Sequence, residues 1–141
     1  MYESENLEKL VGASVKKIFM DSQHLTFETD KGDIAFGVDG DCCSHSFFYD
    51  FYGVKNLLEN GEILEVVEKD LEEGERKPHQ EYDCVACYGI QITTESKEFG
   101  KVTSVFSFRN DSNGYYGGSL EDGEVNKDAP QITDDIIEIR E

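Results

Sequence analysis

The apolar positions of this chain fall into short runs with a period near two, separated by turn-forming residues, which is the pattern of antiparallel strands. Leu10 to Met20 alternates moderately, with Val11, Val15, Ile18 and Phe19 among small and basic residues, and predicts a strand. Leu25 to Glu28 and Ile34 to Val38 flank Asp30-Lys31-Gly32 and predict a hairpin. His45 to Tyr52 is dense in aromatics, and Val54, Leu57 and Leu58 then recur at helical spacing. They predict one short helix over Gly53 to Asn60, stopped by Asn60-Gly61. Ile63 to Val67 returns to β character, and the charged stretch Lys69 to Gln80, with Gly74 and Pro78, predicts an exposed loop.

Tyr82 to Thr94 is the longest β-rich run, and Lys101 to Arg109 places Val102, Ser104, Phe106 and Phe108 on one face. Asn113-Gly114 supplies the residues of a tight turn, with Tyr115 to Leu120 as the expected return strand. After Glu121 the chain is acidic and irregular until Asp134 to Ile139, which fits either a terminal strand or one helical turn. No internal repeat interrupts this order. The expected fold is α+β, mainly antiparallel β-sheet with one short helix. Residues 1–121 form a single compact β-rich domain in this reading, and residues 122–141 an acidic C-terminal tail, free or packed on it.

With 141 residues, the chain is long enough to bury a core without disulfides or metal. Its 31 Asp and Glu against 13 Lys and Arg leave a formal charge of -18. Such a surface repels nucleic-acid phosphates and anionic lipid headgroups, so the expected partners include no nucleic acid and no membrane. No apolar run approaches the roughly 18 residues of a membrane helix. The start, Met1-Tyr2-Glu3-Ser4-Glu5, is acidic where a secretory signal is basic and then apolar, which favours the cytoplasm.

The residues with chemical potential are few. Cys84 and Cys87, with Cys42, Cys43, His24, His45 and His79, supply ligand types for zinc, but two cysteines three apart on a strand point to opposite faces. Cys42 and Cys43 stand beside Asp41, Ser44 and His45, yet neighbours along a strand diverge, and packed thiols with local capping account for the motif. The expectation is therefore no metal, no cofactor, no catalytic residue and no enzyme, since no acid, base and nucleophile share a recognisable spacing.

Two surfaces remain as candidates. Glu62, Glu65, Glu68, Asp70, Glu72, Glu73 and Glu75 crowd one segment, and Glu121, Asp122 and Glu124 open the acidic tail. They read either as a solvated face or as a binding surface for a protein partner with a basic surface. The alternative is a small-ligand pocket in which Arg109, Tyr115 and Tyr116, beside Phe47, Phe48, Tyr49, Phe51 and Tyr52, hold a flat molecule.

Asp41-Cys42-Cys43-Ser44, followed by an aromatic strand, a Leu-Leu segment, Glu62 to Glu68 and finally Ser112-Asn113-Gly114-Tyr115-Tyr116, resembles a phage-associated domain of unknown function over roughly Leu10 to Glu121. The resemblance implies a small phage or prophage protein in a bacterial host, and no activity, cofactor or partner. The chain differs from that family in lacking Trp in the later strands, in its Cys84 to Cys87 pair and in its acidic tail. In this context the sharper reading of the acidic residues is an inhibitor whose carboxylates imitate nucleic-acid phosphates against a basic, nucleic-acid-handling host or defence protein.

Overall fold

In the computed structural model, which describes residues 2–3, 5–40, 45–70, 84–112 and 118–139, the chain opens with β1 (Tyr2–Glu3), α1 (Asn6–Leu10), β2 (Val15–Met20), β3 (Leu25–Thr29) and β4 (Gly32–Gly40). It continues with β5 (His45–Tyr52), α2 (Val54–Glu59), β6 (Glu65–Asp70), β7 (Cys84–Ser96), β8 (Gly100–Ser112), β9 (Gly118–Asp122) and β10 (Ile136–Glu138). The strands form two five-stranded sheets, ordered β1-β9-β4-β3-β2 and β10-β5-β8-β7-β6. Every pairing is antiparallel except β1 with β9.

The sheets face each other across a phenylalanine core, which is what the alternation on each strand demands once one face is buried. Phe27 and Phe36 from the first sheet and Phe48, Phe51, Phe106 and Phe108 from the second are each 0% exposed. Phe106 sits at the junction, with its ring centre 6.2 Å from that of Phe27, 6.0 Å from Phe36, 6.3 Å from Phe48 and 5.6 Å from Phe51. Val54 and Leu57 of α2, with Ile63, close one end of this core.

Several expectations are corrected. The mainly antiparallel β-sheet of the expected α+β fold is found, with two short helices among the described residues rather than one and a strand content that brings it close to all-β. α1 takes the start of the stretch expected as a strand from Leu10. Its five residues are too few to show a helical period or to hold a helix alone. Tertiary contacts hold it instead: the Asn6 N–H donates to Asp122 Oδ1 at 2.9 Å, the Asn6 side-chain amide donates to the Ala35 carbonyl at 2.8 Å, and Leu10 is fully buried. Lys69 and Asp70 belong to β6 and not to a loop.

The largest difference concerns the chain after β8. Of the expected return strand Tyr115 to Leu120, the described part does not pair with β8; Gly118–Asp122 joins the other sheet between β1 and β4. Asn113-Gly114 lies outside the described residues. A turn motif specifies a local reversal but not which sheet the next strand enters, and the buried Leu120, opposite Val38, supplies that choice through the core.

Residues 123–139 are bonded along the sandwich. The Gly123 N–H donates to the Ala35 carbonyl, Ile132 to Ile18, and Ile139 to Tyr49. The Asp135 carbonyl accepts from Gly53 and Val54. Of the two forms open for residues 134 to 139, the strand is found, as β10, which pairs with β5 and forms an edge of the second sheet.

Candidate functional site

The acidic residues lie in two places, the edge strand β6 and the end of β9. β6 is the last strand of the second sheet, and Glu62, Glu65 and Glu68 on or beside it are exposed. Asp70 ends β6 opposite Tyr88. Glu121, Asp122 and Glu124 are exposed at the end of β9 and just after it. Glu72, Glu73, Glu75, Tyr115 and Tyr116 lie outside the described residues, as do Cys42, Cys43 and His79.

The two acidic stretches, remote in sequence, are bridged by α1. At its start the Asn6 N–H bonds to Asp122, and just past its end the Gly12 N–H donates to the Ile63 carbonyl at 2.8 Å. A one-turn helix and its exit span only about 10 Å at about 1.5 Å per residue. Glu5 and Glu8, both exposed, add carboxylates along that span, and Lys9 adds one cation. Charges on an edge strand also block its pairing with another chain, so this edge has a protective role whatever else it does.

Arg109 sits on the outward face of the second sheet, opposite Phe47 and Cys87. Its guanidinium carbon lies 3.7 Å from the centre of the Tyr49 ring, a cation–π contact. Its Nε is buried and has no hydrogen-bond partner among the described residues. Phe48 and Phe51 are committed to the core and cannot line a pocket beside Arg109, whereas Tyr49 comes outward because a bulge between Phe48 and Asp50 shifts the register.

That same face carries residues that sequence reading passed over. The Ser107 hydroxyl donates a short hydrogen bond to Asp50 Oδ1, and the Tyr49 hydroxyl donates to Glu138 Oε1 at 3.0 Å. Burial pushes the Asp50 carboxyl above its ordinary range, against the Ser107 hydrogen bond and the Arg109 charge, which lower it; Glu138, opposite on β10, adds to the rise. The available signal was Ser107 alternating with Phe106 and Phe108, which puts it on the outward face with Arg109. No histidine completes a nucleophilic triad there among the described residues: His45 stacks on Phe47 with ring centres 5.4 Å apart, and His24 bonds Asp21. Nor do three or more His, Cys, Asp or Glu residues converge as metal ligands among them.

No helix among the described residues is long and apolar enough to cross a membrane. No curated protein and no solved structure matches the chain. The model of a family described as a domain of unknown function, DUF7448, matches residues 8–121, from within α1 to β9 and so across the strands that build both sheets, and the chain belongs to that family.

Proposed function

We propose that this is a small, non-enzymatic binding protein of phage or prophage type that works in the cytoplasm of a bacterial host. Its acidic edge docks on a basic, nucleic-acid-handling host or defence protein and inhibits it by occupying the surface meant for phosphates. The observation that carries this reading is the α1 bridge, which joins the carboxylates around Glu62 and Glu65 to those of Glu121, Asp122 and Glu124 with Glu5 and Glu8 between. Docking of exposed charges is screened over about 8 Å at physiological ionic strength, so the complex weakens steeply with salt.

Affinity capture from host lysate at low and high salt tests this. A basic protein retained at low salt is expected, and reversing Glu62, Glu65 and Glu68 to Lys slows its association more than it speeds dissociation. No basic partner, or one indifferent to salt and to these reversals, overturns the reading. The second reading is a small-ligand site beside Arg109, favoured by the buried Nε. A flat aromatic carboxylate such as benzoate is then expected to perturb the Arg109 and Tyr49 resonances in the protein and to leave those of Tyr49 unmoved in Arg109→Gln.

A further inference from the structure

The outward face of the first sheet carries a notch that the strand register builds. Leu25 pairs with Phe36 and Phe36 with Asp122, so the next residues outward, His24, Gly37 and Glu121, stand in one row across three neighbouring chain segments. The middle position has no side chain. A Cβ at Gly37 would lie 3.7 Å from Cγ and Oε1 of Glu121, so the glutamate lies alongside the gap without filling it. Gly123 closes one end by packing directly on the Phe36–Gly37 peptide, where a Cβ would come within 2.5 Å of the Phe36 carbonyl carbon. The result is an open cleft of about 330 Å³ that Gln23, Val38 and Glu124 also line.

The polar chemistry of this cleft is one-sided. His24 Nδ1 lies 2.9 and 3.1 Å from the two carboxylate oxygens of Asp21, so in the neutral ring the proton sits on Nδ1 and Nε2 is an acceptor. One N–H of the Gln23 side-chain amide donates to the Ser46 carbonyl, its Oε1 is a further acceptor, and the Gly123 N–H donates to Ala35. Glu121 and Glu124 contribute carboxylates, and no Lys or Arg is among the lining residues. A cleft with acceptors and carboxylates on both walls, and no cation of its own, is complemented by a charged group that only donates. Guanidinium is that group, with five N–H donors in a planar fork and no acceptor. The row from His24 to Glu121 spans two strand spacings, about 9.5 Å, enough for the fork to lie between the two walls while its stem crosses the bare Gly37 backbone.

We propose that this notch is the anchor site for one arginine side chain of a protein partner, held between His24 Nε2 and the Glu121 carboxylate over Gly37. The identity of the partner rests on the acidic-edge reading above; the site itself does not. The test is a titration of the full chain with N-acetyl-arginine methylamide, followed by amide and histidine-ring NMR shifts, with the citrulline and lysine analogues as comparisons. Saturable shifts centred on His24, Gly37 and Glu121 are expected, about tenfold or more weaker for the neutral citrulline analogue, which keeps the shape but loses the charge-assisted hydrogen bonds. Gly37→Val keeps every carboxylate and occupies the gap, and is expected to abolish the shifts while retaining the dispersed spectrum of the folded protein; Glu121→Gln weakens them about tenfold.

Equal binding of the citrulline or lysine analogue, wild-type titration by Gly37→Val, or no saturable shift at all overturns the proposal. If the arginine analogue fails while capture remains salt-dependent, the notch falls and the acidic edge stands. If the analogue binds but no basic partner is captured, the edge reading falls and the notch stands.

Discussion

Replacing Phe106 by Ala removes the side chain on which both sheets converge. The ring is fully buried and has four aromatic neighbours with centres 5.6 to 6.3 Å away, two from each sheet. Phe to Ala in a core costs about 3–5 kcal/mol, the spread reflecting how far the surroundings collapse into the cavity. Here the walls are rigid rings anchored on strands of two hydrogen-bonded sheets, which resist collapse, and each aromatic pair adds about 0.5–1.5 kcal/mol beyond area. A loss of about 4–5 kcal/mol is therefore expected. That is a large share of the roughly 5–15 kcal/mol that holds a domain together. Phe106→Leu, which refills most of the volume, should lose about 1–1.5 kcal/mol. Urea unfolding followed by tyrosine fluorescence and far-UV circular dichroism reads both, the chain having no tryptophan to dominate the signal. With a slope of about 2 kcal/mol per molar, the Ala variant's midpoint falls by about 2 M. An Ala variant that loses less than about 2 kcal/mol, or no more than the Leu variant, would show that the two sheets do not depend on this junction.

Gly53→Ala should cost about 2 kcal/mol or more, because Gly53 has φ +76 and its Cβ would meet the Thr103 carbonyl oxygen at 2.9 Å; an unchanged melting temperature refutes the left-handed entry to α2. Gly123→Ala, with a Cβ 2.5 Å from the Phe36 backbone, should cost about 2–3 kcal/mol, whereas Gly37→Ala, where the nearest atom is at 3.7 Å, should cost less than about 1 kcal/mol; equal losses would contradict the close crossing of the tail over β4. Asp50 predicts a pH dependence. Its carboxyl is raised in the folded state, so folding takes up a proton and this group's contribution to stability falls as pH climbs from the ordinary carboxylate range through the raised value. Asp50→Asn lacks that slope, so its stability relative to the native protein should improve from acid to neutral pH; a difference that stays flat across the range counts against the buried carboxylate.

Most strands and α2 were legible in the chain because they rest on local periodicity. Phe27 stands between Thr26 and Glu28, and Phe106 and Phe108 stand on either side of Ser107, and a period of two commits each to the inner face of a sheet wherever that sheet lies. Charge was equally legible, since a composition of -18 leaves exposed carboxylates wherever the chain turns outward. Three things were decided only in three dimensions. α1 is too short to exist by propensity and depends on Asp122 and Ala35, far along the chain. β9 enters the first sheet and not the second because Leu120 completes the core beside Val38, a long-range burial that a turn motif does not encode. The row of His24, Gly37 and Glu121 follows from that same pairing: none of the three is distinctive in its own segment, and they become a notch only when register sets them side by side with a glycine in the middle. Periodicity is a property of neighbours in the chain, whereas register and sheet choice are settled by which distant apolar faces bury each other, so the strands could be read from sequence and the sites between them required the fold.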